Sequence, residues 1–151
     1  MFDPESDTVQ YERDGHVAVV TLDRPATLNA LTVEMRETVA DCLLDADADD
    51  SVRAVVVTGA GEAFCSGMDL EEFSREETAR MLDVDSDFRD FTLRGDPIYT
   101  PVVAAVNGHC IAAGMEFLQA TDLRIAAEEA KFGLQEPRWG FGDRVDGPPA
   151  P

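Results

Sequence analysis

The sequence predicts an α/β fold of parallel crossover units, and three observations carry that reading. Short β-branched runs recur along the chain. One long segment places apolar residues at intervals of three and four, the period of a helix face. Two of the apolar runs end in glycine-rich turns, as buried strands do when they feed a following element.

Taken in order, "HVAVVTLD" over 16–23 alternates and reads as a strand, and "RPATLNALT" follows as a turn punctuated by Pro25 and Asn29. Thr32 then caps a helix whose apolar positions are Met35, Val39, Leu43 and Ala46. "VRAVVVTGAG" over 52–61 is nearly unbroken in its apolar character, which predicts a strand buried on both faces. "PVVAAVNG" over 101–108 repeats that design. "AAGMEFLQAT" over 112–121 reads as a helix and "LRIAA" over 123–127 as a short strand. The acidic segment 71–95 is expected to form a helix and loop over one edge, with a thin apolar stripe of Phe73, Met81, Val84, Phe88 and Phe91. No internal repeat or low-complexity tract is visible. After "PRWG" the chain ends in "FGDRVDGPPAP", which has no hydrophobic period and reads as a disordered tail over 140–151 behind a single domain over 1–139.

Charge narrows the function classes. With 31 acids against 12 basic residues the net charge is −19, and Lys131 is the only lysine. A nucleic-acid backbone would be repelled, with no basic stripe to offset it. The longest apolar runs are strand-sized, too short to span a bilayer, and "MFDPESD" does not resemble a signal peptide. Cys42, Cys65 and Cys110 are odd in number and lack metal-ligand spacing, so reduced thiols in a cytoplasmic protein are expected.

The chemistry concentrates in two turns, "TGAGEAFCSGMD" and "NGHCIAAGME". Neither has the spacing of a phosphate loop. Glycine lets the backbone turn tightly and leaves its N–H groups reachable. Two such turns at one sheet edge could aim two N–H groups at one oxygen, the arrangement that stabilises an enolate formed from an acyl thioester. Two ordinary strand-to-helix turns would look the same in sequence. Glu116, inside the second turn's helix, and Glu136, in "FGLQEP", each fit either a solvent-facing position or an acid held in a pocket. Together in one pocket they could hold a water and pass a proton. His16 reads as exposed or structural and His109 as a packed turn residue, and neither has the neighbours of a metal site. Cys65 reads as a small buried filler, Ser66 lacks the frame of a nucleophile elbow, and Trp139 reads as core.

"VVTLDRPATLNAL", "VRAVVVTGAGEAFCSGMDL", "PVVAAVNGHCIAAGMEFLQATDLRIAAEEAKFGLQE" and "PRWG", in that order and spacing, resemble the enoyl-CoA hydratase/isomerase (crotonase) family over about residues 15 to 140. The resemblance implies a crotonase-like spiral of ββα units, here with the C-terminal helical part missing. It places the backbone donors of an oxyanion hole at Met68 and Ala113, the latter where relatives usually carry glycine. It places the two hydratase glutamates at Glu116 and Glu136. It also places substrate contacts at Arg24, Ala63, Asp69, Leu70 and Gly114. The implied substrate is an acyl-CoA thioester, with coenzyme A part of the substrate and no separate cofactor or metal, and the implied assembly is a homo-trimer or hexamer. Thr27 and Glu71 stand where relatives are often basic, which removes positive charge from the side expected to face the coenzyme's phosphates.

The tail suggests its own explanation. "GDRVDGPPAP" can be written in codons that, read one base later, give Ala-Thr-Gly-Ser-Thr-Val-Arg-Leu-Pro, similar to the "GGSTVRLP" of relatives. A frameshift is therefore expected. Sequencing the gene across the codons that follow "PRWG" checks it: a shifted frame that restores the family sequence is the expected result, and a frame with no such continuation removes the explanation.

Overall fold

A computed structural model describes residues 4, 6–72 and 97–135. The expected helix and loop over 71–95 falls almost wholly outside these residues, as do Glu136, Trp139 and the 140–151 tail.

The chain begins with a hairpin of β1 (Val9–Asp14) and β2 (Val17–Leu22), paired antiparallel from Val9–Leu22 to Asp14–Val17. Gly15 turns it at φ +60°, a conformation glycine adopts without a Cβ clash. A 3₁₀ turn (Pro25–Thr27) leads into α1 (Val33–Ala48). Thr32 caps that helix, its Oγ1 accepting from the Met35 N–H at 3.1 Å. The expected apolar face is buried, with Met35, Val39, Leu43 and Ala46 all at 1% exposure or less.

Three strand pairs then repeat one step. β3 (Ala54–Gly59) is followed by β4 (Ala63–Cys65), β5 (Val102–Val106) by β6 (His109–Ile111) and then α2 (Ala113–Ala120), and β7 (Leu123–Ala126) by β8 (Phe132–Gly133). The long strands join β1 and β2 in a five-stranded sheet of order β1-β2-β3-β5-β7, parallel from β2 onward, and the short ones make a second parallel sheet of order β4-β6-β8. This is the α/β spiral that the family resemblance implies; the short second strand of each step is not among the strands read from the residues. The core runs continuously through it: α1 packs against β1 and β2, its apolar face shares one buried cluster with Val20, Leu22, Val55 and Val57, and Phe64 of β4 stacks with Phe117 of α2 at 6.0 Å between ring centroids.

Three expectations need correction. β1 is a strand ahead of the expected ones, in which buried Val9 and Tyr11 alternate with exposed Gln10 and Glu12. His16 lies in the hairpin turn and His109 opens β6, because Asn107 and Gly108 make the turn before it. β3 is fully buried on one face alone: Val55, Val57 and Gly59 are covered, while Ala54, Val56 and Thr58 are half-buried. At the far edge β7 is exposed at all four positions, including Leu123 and Ile125. Among the described residues no helix is long and apolar enough to cross a membrane.

Electrostatics oppose this fold. The last turn of α1 carries Asp45 and Asp47 with no basic residue, against the helix dipole. Two ion pairs, Arg13–Asp49 at 2.7 Å and Arg24–Asp69 at 2.9 Å, stand among the described residues against a net charge of −19. Self-repulsion of this kind is relieved by screening, whose range falls from about 10 Å at 0.1 M salt to about 3 Å at 1 M. Melting followed by circular dichroism should therefore shift upward continuously as KCl is raised from about 0.1 M to molar concentration. Each 1 kcal/mol recovered is worth about 2–4 °C in a domain of this size. A melting temperature indifferent to KCl would refute the expectation.

Candidate active site

The two glycine-rich turns leave the C-terminal ends of neighbouring parallel strands, β4 at Cys65 and β6 at Ile111. In the first turn Gly67 takes φ +110°, which L side chains rarely adopt. Met68 then forms an isolated parallel bridge with Leu31: the Leu31 N–H donates to the Gly67 carbonyl at 2.8 Å and the Asp69 N–H to the Leu31 carbonyl at 2.9 Å. Those bonds use the groups flanking Met68. Because C=O and N–H of a trans peptide point in opposite directions, the Met68 N–H faces away from Leu31.

In the second turn Ala112 sits at φ +51°, a strained value for a residue with a Cβ, and serves as N-cap of α2 without a side-chain bond. Its carbonyl accepts from the N–H groups of Met115 at 2.7 Å and Glu116 at 3.2 Å. Ala113 and Gly114 therefore open the helix with N–H groups that have no intrahelical acceptor.

The turns meet. A Cβ added to Gly67 would lie 3.0 Å from the Ala112 Cβ and 3.8 Å from the Ala113 nitrogen. A Cβ added to Gly114 would lie 2.8 Å from the Cys65 carbonyl oxygen and 3.3 Å from its Sγ. Glycine at 67 and 114 is what lets the two backbones approach. Glu116 follows Ala113 by three residues and is half-buried in the first turn of α2.

Two asparagines absent from the sequence-based site hold this arrangement. Asn29 is fully buried at φ +57°; its Oδ1 accepts from the Arg24 N–H at 2.8 Å, and its Nδ2 donates to the carbonyls of Ala60 at 2.9 Å and Ala63 at 2.8 Å. Asn107 Oδ1 accepts from the Gly59 N–H at 3.1 Å, and its Nδ2 donates to the carbonyls of Gly61 at 3.0 Å and Ala63 at 3.2 Å. The available signals were the polar residue inside "RPATLNALT" and the N-G pair after β5.

The remaining expected residues are spread around the turns. Ala63 is buried in β4, Gly114 is buried under Cys65, and Leu70 is half exposed beyond Met68. Arg24 and Asp69 form the ion pair noted above, and the guanidinium holds the Asp69 carboxyl below its usual range. Cys42, Cys65 and Cys110 are buried free thiols pushed up to about 12 by desolvation, which keeps them protonated and poorly nucleophilic. Among the described residues no group of three His, Cys, Asp or Glu could hold a metal ion.

A family model described as enoyl-CoA hydratase/isomerase matches residues 12–147. An enoyl-CoA hydratase of Mycobacterium tuberculosis is 40% identical over 134 residues, 86% of this chain and 50% of that protein. A hydroxycinnamoyl-CoA hydratase-lyase of Pseudomonas fluorescens is 38% identical over 142 residues, 89% and 50% respectively. Among solved structures, an enoyl-CoA hydratase/isomerase from Mycobacterium paratuberculosis superposes with a TM-score of 0.76 at 36% identity, covering 89% of this chain and 53% of that one. The chain thus spans about half the length of the relatives it matches.

The glycine geometry is testable by urea unfolding. Gly15→Ala, where a Cβ meets nothing within 4 Å, should cost about 1–2 kcal/mol for the left-handed backbone alone. Gly67→Ala should cost more, by about 1–3 kcal/mol of added crowding against Ala112. Equal losses would show that the two turns are not in contact.

Proposed function

We propose that this chain, which belongs to the enoyl-CoA hydratase/isomerase family, hydrates a trans-2-enoyl-CoA to a 3-hydroxyacyl-CoA. The observation that carries the reading is the approach of the Gly67–Met68 peptide to the Ala112–Ala113 peptide, with Glu116 one helical turn beyond. Both N–H groups belong to backbone whose other bonds are already made, so they are preorganised donors.

The thioester carbonyl accepts from the Met68 and Ala113 N–H groups. Water adds its oxygen to the β-carbon while Glu116 takes its proton, and the alkene π pair moves through the α-carbon onto the thioester oxygen. That oxygen's charge is greatest in the transition state, which is when the two donors strengthen. Collapse of the enolate with a proton from Glu136 to the α-carbon completes a syn addition. The acyl group is left open, because the relatives' own names range from short-chain enoyl-CoA to hydroxycinnamoyl-CoA.

Purified full chain is assayed for loss of the conjugated enoyl absorbance of crotonyl-CoA. Glu116→Gln should lower kcat about 10²–10⁴-fold, the usual worth of a general base, with KM little changed. Glu136→Gln should do the same. Conversion of a 3-enoyl-CoA that survives Glu136→Gln would replace hydration by isomerisation through one glutamate. Folded, soluble protein that turns over neither substrate would make the chain a non-catalytic member of its family.

A further inference from the structure

Arg24 and Asp69 lie where the family resemblance expects substrate contacts, yet their bonds run inward. Arg24 Nη1 donates to the Ala30 carbonyl at 2.7 Å and to Asp69 Oδ2 at 2.9 Å, and both side chains are mostly buried. The backbone of the arginine is equally occupied: its N–H donates to Asn29 Oδ1, and its carbonyl accepts from the N–H groups of Thr27 and Asn29. Asp69 Oδ1 accepts from the Glu71 N–H at 3.1 Å.

The bonds connect in a line. The Ala30 carbonyl shares a peptide plane with the Leu31 N–H. That N–H donates to the Gly67 carbonyl, which shares a plane with the Met68 N–H. In each plane the carbonyl and the N–H point oppositely. Orienting the Ala30 carbonyl therefore orients the Leu31 N–H, then the Gly67 carbonyl, then the Met68 N–H. Asp69 closes the circuit, since its own N–H donates to the Leu31 carbonyl while its carboxylate returns to the same Arg24 nitrogen.

We propose that Arg24 and Asp69 are positioning residues that aim the Met68 N–H through two successive peptide planes, and are not contacts for the phosphates of a coenzyme. The inference rests on the oxyanion role given to Met68 under the hydratase reading, and it makes a separate prediction. A phosphate contact matters only to a substrate that carries the nucleotide. A misaimed donor matters to any thioester, and displacement of a reacting group by about 1 Å can cost on the order of 10²-fold in rate.

The test compares crotonyl-CoA with crotonyl-pantetheine, which lacks the nucleotide, in the full chain and in Arg24→Met, Arg24→Lys, Asp69→Asn and the Arg24→Met/Asp69→Asn double variant. Positioning predicts that kcat falls about 10–10²-fold on both substrates, with KM within about two-fold. The double variant should be no worse than the poorer single one, because the residues act as a unit, and Arg24→Lys should recover part of the loss. A rise in KM confined to crotonyl-CoA, with crotonyl-pantetheine unaffected, would overturn the proposal in favour of a phosphate contact. Amide hydrogen exchange on the same proteins reads the geometry without turnover. Exchange at Leu31 and Asp69 should quicken at least about ten-fold in Arg24→Met and Asp69→Asn while α1 stays protected. Should the parent turn over neither thioester, quickened exchange retains the relay and the hydratase reading alone falls; unchanged exchange overturns the relay.

Discussion

The carbonyl oxygen of Ala63 accepts from two side-chain amides, Asn29 at 2.8 Å and Asn107 at 3.2 Å, and both site turns hang from that junction. Asn29 reaches it from the loop between β2 and α1, and Asn107 from the step between β5 and β6. The residue they share begins β4, the strand that ends in the Gly67 turn. A buried hydrogen bond contributes only about 1 kcal/mol net, but an amide stripped of its partners costs about 1–3 kcal/mol for each buried group left unsatisfied. Neither loop can relax independently, since each amide also holds one carbonyl of the 60–61 turn, Ala60 for Asn29 and Gly61 for Asn107, and a backbone N–H. This shared acceptor ties the loop before α1 and the β5–β6 step to the start of β4.

Helix α1 was legible because its burial follows a local period that the sequence states outright, from the Thr32 cap to Ala46. The parallel sense of β2, β3, β5 and β7 was legible from their apolar runs and from the succession of elements between them. β4, β6 and β8 were not. Strands of two or three residues carry no period, and what makes them strands is pairing between residues far apart in the chain, such as Cys65 with Cys110 and Cys110 with Phe132. The ββ step repeats three times in space while the residues that form it, "GEAFC", "NGHCI" and "EEAKFG", have little in common.

The site divides along the same line. Its glycines, its turns and Glu116 could be read from composition and local order. That the turns meet depends on the distance from Gly67 to Ala112, across 44 intervening positions, and no local pattern encodes it. Arg24 shows the limit from the other side. As an arginine near an expected phosphate site it invites a ligand, but Asp69, equally remote in sequence, already holds its guanidinium.

The hydrogens offered by the two turns belong to the main chain. Side-chain replacement at Met68 or Ala113 leaves them in place. The information that specifies the pair is carried one residue away, in the missing side chains of Gly67 and Gly114. Deleting a single donor while keeping every side chain would take an atom exchange in the backbone itself, an ester oxygen in place of the amide nitrogen of Met68 or Ala113.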